Sequence, residues 1–318
     1  MSLGRVLVEE LQPEVLAWLR DRVDLVVVEA WGEPERWAKE VSCVDAVISR
    51  KGRITREQIK KSGGRLKLVA RTGVGVDPSR IDLKDAKEFK VLVTNMPGCN
   101  AVSVAELVFG QMVALVRHTH EADHSVKSNR WGDYLRFTGT ELAGKTIGII
   151  GMGNIGTRVM IRARAFEMNF CVYDPYIPAS HVTALGGKWI GLPELLTESD
   201  FVTIHCPLNE ETRNMIGEQE LAMMKPSAFL INTARGGIVN EESLYRVLQA
   251  QKIAGAALDV IEVEPPVKDH PLLQLGNVLW TPHLGAQTLE AAWRGEWGAA
   301  EEVIRVLEGK QPQNPVTF

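Results

Sequence analysis

Short apolar runs recur along the first 95 residues, and each is followed by a segment with helical spacing. The stretch RVLVEE places a strand around Val6-Leu7-Val8. Pro13 then opens a helix through Leu16 and Leu19, since proline is tolerated in the first helical turn. DLVVVEA predicts a second strand, Pro34 opens a second helix with Trp37 and Val41 one turn apart, and VDAVIS predicts a third strand. Thr55-x-x-Gln58 has the form of a capping box, and Gly63-Gly64 suits the end of the helix it opens. KLVA at 67–70, a helix over 82–89 and the strand VLVT complete the block. Continuous apolar runs alternating with helices predict a parallel sheet covered on both faces.

Residues 100–130 break this rhythm. Val104, Leu107, Val108, Gln111, Met112 and Leu115 fall at helical spacing and are mostly apolar, which predicts one long buried helix over 100–118. A more polar helix is expected over 120–129. Alternation then resumes with strands TIGII (146–150), FCVYD, FVTIHCP (201–207), AFLIN (228–232), AGAALDV (254–260) and NVLWTPH (277–283), and with a helix over 154–166. The tail from Ala286 to Leu307 has helical spacing, although Gly295 and Gly298 each weaken it by about 1 kcal/mol. The fold class is α/β, in two alternating blocks with parallel sheets.

Composition narrows the setting. A chain of 318 residues allows about two domains. Hydrophobic residues at 45% and charged residues at 24% are ordinary globular usage, which excludes bulk disorder. A net charge of -4 argues against general nucleic-acid binding, and no apolar run is long enough to span a bilayer. The N-terminal MSLGRVLVEE has no long apolar stretch of the signal-peptide kind. Cys43, Cys99, Cys171 and Cys206 lie far apart without a CxxC, so free thiols in the cytoplasm are expected, and no metal site.

The first chemical signature is Gly151-Met152-Gly153-Asn154-Ile155-Gly156, between an apolar strand and a helical pattern. Gly151 suits the tight turn, Gly153 a close approach of backbone to pyrophosphate, and Gly156 close helix–strand packing. The helix N-terminus offers unpaired N–H groups to the phosphates. Asp174 closes the next strand, roughly 20 residues on, where an acid binds the ribose hydroxyls of the cofactor. A carboxylate there repels the extra phosphate of NADP, and no Arg or Lys lies at 175–180 to receive it, so NAD is the expected cofactor.

Ligands of an open parallel sheet bind beyond the carboxyl ends of its strands. AFLIN leads into Thr233-Ala234-Arg235-Gly236-Gly237, GAALDV into Ile261-Glu262-Val263-Glu264, and NVLWT into Pro282-His283-Leu284-Gly285. One cation, one carboxylate and one imidazole therefore emerge on one edge. Each alone is ordinary; together they suit hydride transfer to a 2-oxo acid. A guanidinium holds the substrate carboxylate, a histidine gives the proton to the new alkoxide, and a carboxylate orients and charges the histidine.

Beyond these residues, the stretches Arg71 to Asp77 (RTGVGVD), Asn100 to Glu106 (NAVSVAE), GTELAGKTIGIIGMGNIG, HCPLNEETRNMI, INTARGGIVN, ALDVIEVEPP and TPHLGAQT stand in a specific order. Over nearly the whole chain this resembles the D-2-hydroxyacid dehydrogenases, and within them the D-3-phosphoglycerate dehydrogenase branch. The resemblance implies a flavodoxin-like substrate domain from residues 1–99 and 285–318 and a Rossmann NAD domain over 100–284. The helices at 100–118 and after Gly285 would be hinges beside a cleft. It implies that Arg235 holds substrate, that His283 is the acid/base and that Glu264 is its partner. Val74, Gly75 and Asn100 would also face substrate. Asp259 would bind the nicotinamide carboxamide. His205, Cys206, Pro207 and Thr212 would lie by the adenosine and pyrophosphate, with Thr233, Ala234 and Gly285 also on the cofactor. A homodimer through the NAD domains is implied as well.

The chain departs from the family in having Asn240 for an Asp, where Asn is also a good N-cap, and Ile261 for a frequent Phe. It ends soon after the closing helix, so serine feedback through a C-terminal regulatory domain is not expected. Glu264 speaks against formate dehydrogenase, where the resemblance would place glutamine. Arg50-Lys51-Gly52-Arg53, after the third strand, is either a solvated charge run or a cradle for an anionic substrate tail, with Arg50 the foremost candidate. Cys206 suits a buried structural thiol, and Trp280 is near enough in sequence to His283 to wall the site. Two function classes stand: a dehydrogenase of 2-hydroxy acids, 3-phosphoglycerate or a similar anionic-tailed acid foremost, and an NAD(H)-sensing protein of the corepressor type.

Overall fold

The computed structural model describes residues 2–76 and 80–317. Asp77, the end of the RTGVGVD stretch, lies outside the described residues. The chain divides into two compact units, one formed by Met1–Asn100 with Gln287–Phe318 and the other by Ala101–Ala286.

The first unit contains strands β1 (Arg5–Val8), β2 (Asp24–Val27), β3 (Ala46–Ser49), β4 (Leu68–Arg71) and β5 (Leu92–Thr94). All pairings are parallel, in the order β2-β1-β3-β4-β5, which is the flavodoxin-like order. Side chains alternate between faces, as strand geometry requires. Leu7, Val47, Val69 and Val93 pack on Trp37 and Val41 of α2 (Pro34–Val41), Ile59 of α3 (Arg56–Lys61) and Ala86 of α4 (Leu83–Glu88). Val6, Val8, Ile48 and Ala70 meet Val15 and Leu19 of α1 (Pro13–Arg20) and Ala299, Ala300 and Val303 of the C-terminal helix Leu289–Leu307.

The capping box at α3 is complete. Gln58 N donates to Thr55 Oγ1 at 3.4 Å, and Thr55 N to Gln58 Oε1 at 2.8 Å. The glycines that weaken the C-terminal helix as an isolated element are what let it pack. A Cβ on Gly295 would sit 2.0 Å from Thr72 O, and one on Gly298 2.4 Å from Met96 Sδ.

The second unit opens with α5 (Ala101–Arg117), α6 (Thr119–Lys127) and a 3-10 segment, Trp131–Phe137. Then come β6 (Thr146–Ile150), α7 (Asn154–Ala165), β7 (Asn169–Tyr173), α8 (Ala179–Ala184), β8 (Lys188–Trp189) and α9 (Leu192–Glu198). β9 (Phe201–Ile204), α10 (Glu218–Met223), β10 (Phe229–Asn232), α11 (Glu241–Gln249), β11 (Gly255–Leu258) and β12 (Val278–Trp280) follow. The parallel order is β12-β11-β10-β9-β6-β7-β8. The chain starts at β6, winds outward through β7 and β8, and returns to β9 on the other side. The switch point of this Rossmann sheet therefore lies between β6 and β9, where dinucleotides bind.

Helix α5 is a core element. Ala105, Val108, Phe109, Met112 and Val116 pack against Ile147, Ile149 and Val172 of the sheet. No single helix among the described residues is long and apolar enough to cross a membrane. All four cysteines are free thiols.

Candidate active site

The glycine turn has the predicted geometry. Gly151 has φ +92, and a Cβ there would stand 2.8 Å from Cys206 N. A Cβ on Gly156 would stand 2.2 Å from Gly151 O, so only glycine lets α7 start this close to the turn. Around Gly153 nothing lies within 4 Å of a Cβ, which leaves the backbone open to a phosphate group. The amides of Asn154 and Ile155 open the first turn of α7. Asp174 follows β7, and its carboxylate accepts from Met152 N at 2.8 Å and Tyr176 N at 2.9 Å. The acid therefore also fixes the glycine turn, a bond the sequence does not announce. This cradle fits a dinucleotide.

Across the switch point, His205 Nε2 lies 2.9 Å from Thr203 Oγ1, and its Nδ1 is buried without a partner. Burial pushes this imidazole down to about 3, so it is neutral. Burial pushes the Cys206 thiol up to about 11, which leaves it protonated, as expected of a structural thiol. Thr212 Oγ1 donates to Pro207 O at 2.6 Å and accepts from Asn209 N at 2.9 Å, closing the loop after β9. Thr233 Oγ1 is buried without a partner, and Ala234 N donates to Asn232 Oδ1 at 3.1 Å.

The loops after β10, β11 and β12 lie on one edge because the three strands pair in register, Asn232 beside Leu258 and Leu258 beside Trp280. Asn232, almost fully buried, ties the first loop: its Nδ2 donates to Arg235 O at 3.0 Å. Gly236 then lies on the second loop so closely that a Cβ would be 2.1 Å from the Ile261 carbonyl. That contact explains the glycine after Arg235 and carries the guanidinium toward Glu264. Arg235 Nη1 also donates to Ala234 O at 2.7 Å.

His283 Nδ1 and Glu264 Oε2 are 2.7 Å apart. His283 has φ +54, a left-handed backbone that costs a non-glycine residue energy and is held by its surroundings. The holding group is Asp259, buried to 2% exposure. Its Oδ1 accepts from Thr281 Oγ1 and from Leu284 N at 2.7 Å, and its Oδ2 accepts from Gly285 N at 2.9 Å. Gln111 of α5 donates to Thr281 Oγ1 at 3.0 Å. The family resemblance gives Asp259 only a cofactor contact; this second task, and the parts of Thr281 and Gln111, have no signal in the sequence.

The Glu264 hydrogen bond raises the pKa of His283, against burial, and the charges of Glu264 and Asp259 add to the rise while that of Arg235 opposes it. Burial pushes the Glu264 carboxyl up, but the bond and charge of His283 hold it below the ordinary value. The pair therefore favours an imidazolium beside a carboxylate near neutral pH. Trp280 packs on the core and lines, with Leu115, His118, Phe137 and Phe229, a cavity that Arg235, Glu264 and His283 do not line.

Arg50, Val74, Gly75 and Asn100 belong to the other unit. Arg50 stands just past β3, and its Nη2 donates to Gln287 Oε1 at 2.7 Å. Val74 is exposed, and its carbonyl accepts from Asn95 Nδ2 at 2.7 Å. Gly75 lies in the irregular chain after it. Asn100 Oδ1 is buried without a partner. Asn240 caps α11, its side chain accepting from Ser243 N at 2.9 Å, so the departure from the usual Asp keeps the cap.

Residues 109–285 match the D-isomer specific 2-hydroxyacid dehydrogenase, NAD binding domain. The chain belongs to the D-isomer specific 2-hydroxyacid dehydrogenase family. It is 43% identical to a D-3-phosphoglycerate dehydrogenase of Methanocaldococcus jannaschii over 89% of its length, but spans only 54% of that relative. It is 40% identical to a hydroxypyruvate reductase of Thermotoga maritima, over 96% of this chain and 99% of that one. Among solved structures, the TT0316 protein of Thermus thermophilus superposes with a TM-score of 0.89 at 34% identity, covering 98% of this chain and 100% of that one. The matched domain is an NAD-binding one and the cofactor is NAD, which the cradle formed by the glycine turn and Asp174 suits.

Proposed function

We propose that this chain interconverts a D-2-hydroxy acid and its 2-oxo acid, and that the substrate carries a second anionic group, as 3-phosphoglycerate does. The observation that supports the reaction is the bond of 2.7 Å between His283 Nδ1 and Glu264, with the Arg235 loop seated against the Glu264 loop. Bound NADH supplies the hydride. Arg235 binds the substrate carboxylate through its planar fork and draws charge from the adjacent carbonyl. With Nδ1 engaged by Glu264, Nε2 of His283 carries the proton that passes to the carbonyl oxygen; in oxidation the same nitrogen takes it back. Val74, Gly75 and Asn100 are assigned to the substrate as well. The domains are assigned accordingly, NAD to the second unit and substrate recognition to the first.

The anionic tail is assigned to Arg50. A charge-assisted bond to a phosphate or sulfonate contributes roughly 1.5–3 kcal/mol. Arg50→Ala should therefore lower kcat/KM for phosphohydroxypyruvate or sulfopyruvate by about 10- to 100-fold relative to glyoxylate, which has no tail. Steady-state kinetics on this panel tests the assignment, and an equal loss on all three substrates would make Arg50 structural. Absence of NADH oxidation with every 2-oxo acid, by the unaltered protein, would favour the nucleotide-sensing alternative.

The chain is also proposed to form a homodimer through its second unit. Trp131, Tyr134 and Leu135 of the 3-10 segment are 76%, 66% and 71% exposed, beside a cavity lined by Leu115, Phe137, Phe229 and Leu279. Apolar side chains clustered in this way mark a covered surface. Sedimentation velocity should give a dimer at micromolar concentration and a monomer for Trp131→Glu; a monomeric native protein would refute it.

A further inference from the structure

The loop after β3 is braced far more heavily than a solvated charge run requires, and the brace begins with a buried acid to which neither the fold nor the catalytic residues assign a task. Glu9 follows β1 and is 7% exposed. Its Oε2 accepts from Arg50 N and from Lys51 N at 2.7 Å, and its Oε1 from Gly52 N at 3.1 Å. Three consecutive amides thus converge on one carboxylate, an arrangement that usually holds an anionic ligand.

The carbonyls of the loop are taken as well. Arg71 Nη2 donates to Arg50 O at 2.8 Å, Arg80 Nη1 donates to Lys51 O, and Ser49 Oγ donates to Gly52 O at 2.7 Å. Arg71 Nη1 donates in turn to Ser49 Oγ at 2.9 Å. Trp37 Nε1 donates to Arg53 O at 3.0 Å, and a Cβ on Gly52 would lie 2.3 Å from the Trp37 ring. Every backbone polar group from Arg50 to Gly52 is therefore bound by a side chain, and all but Ser49 come from other elements. Gly52 is buried, so its own N–H and C=O must be paired within the protein, but the backbone groups of exposed Lys51 and half-buried Arg50 could be satisfied by solvent. Fixing them instead removes the loop's freedom before any ligand arrives, and a preordered cation binds an anion without the entropy of ordering it.

We infer that Glu9 is a positioning residue for substrate-tail recognition: by binding the amides of residues 50–52 it fixes the direction in which Arg50 presents its guanidinium. This rests on the assignment of Arg50 to the tail given above. Glu9 itself does not touch substrate.

The test compares Glu9→Gln, Arg50→Ala and the double variant, each with NADH, on phosphohydroxypyruvate and on glyoxylate. Glutamine keeps the shape but loses charge and turns an N–H2 group toward amide donors. Glu9→Gln should raise KM for phosphohydroxypyruvate about tenfold with little change in kcat, and should lower the preference for that substrate over glyoxylate by the same factor. In the double variant the preference should fall no further than in Arg50→Ala alone, because Glu9 acts through Arg50. Losses that multiply, or a Glu9→Gln loss equal on both substrates, would overturn the inference. If Arg50→Ala itself showed no dependence on the tail, the assignment of Arg50 would fail instead, and the two failures are separate. Should Glu9→Gln not fold, Ser49→Ala, which frees Gly52 O and one Arg71 N–H, should give the same tail-selective rise in KM; a tail-independent effect would overturn it equally.

Discussion

His283→Ala should lower turnover by about 10²- to 10⁴-fold, the usual contribution of a positioned general acid, while the dissociation constant for NADH changes little. The cofactor contacts assigned to Gly151–Gly156 and Asp174 lie on other elements of the same sheet, so a loss confined to kcat would separate proton transfer from cofactor binding. Fluorescence titration with NADH beside steady-state turnover makes that comparison, and undiminished kcat would remove His283 from the mechanism. In the proposed mechanism the same residue sets the pH dependence. Reduction needs the imidazolium, so its rate falls as pH rises through the His283 pKa, which the Glu264 bond has raised. Oxidation needs the neutral ring and has the opposite dependence. Glu264→Gln removes the charge and leaves a neutral amide at Nδ1. The pKa then drops, and the fall in the reduction rate moves to lower pH. A profile identical to that of the native protein would show that Glu264 does not set the charge of His283.

Arg235→Ala should damage both KM and kcat. Two parallel charge-assisted bonds to the substrate carboxylate contribute roughly 1.5–3 kcal/mol each. Their loss corresponds to about 10²- to 10⁴-fold in kcat/KM. The effect reaches kcat because the guanidinium also stabilises charge that develops on the adjacent oxygen. Arg235→Lys should recover only part of the loss, because an ammonium offers a point charge where a fork is needed. If Arg235→Ala raised KM alone, the arginine would bind substrate without favouring the transition state.

Most of the fold could be read in the sequence where apolar runs were continuous. Apart from Lys188–Trp189, the strands of both sheets are of this kind, and the glycine turn, the capping box at Thr55 and the N-cap at Asn240 appeared where their residue types require them. What escaped was short or depended on tertiary contact. The edge strand Lys188–Trp189 has both residues exposed, so no buried face leaves a pattern, and the helices at Ala179–Ala184 and Glu218–Met223 are too short to show a period. In the candidate site, Arg235, Glu264 and His283 stand out because each follows a strand on the same edge. Asp259 as the support of the His283 backbone, Gln111 behind Thr281, and Glu9 beneath Arg50 do not, since each bond joins segments distant in the chain.

The brace beneath Arg50 is made to backbone atoms, and the side chains of residues 50, 51 and 53 take no part in the bonds that Glu9, Arg71, Arg80 and Trp37 make to the loop. Gly236 stands at the opposite extreme, where any side chain would strike the Ile261 carbonyl. The molecule thus separates what can drift from what cannot. Exchanging residue 50 for a neutral or larger one leaves the loop's scaffold in place, so the chemistry presented at this position can change without any rebuilding of the fold beneath it.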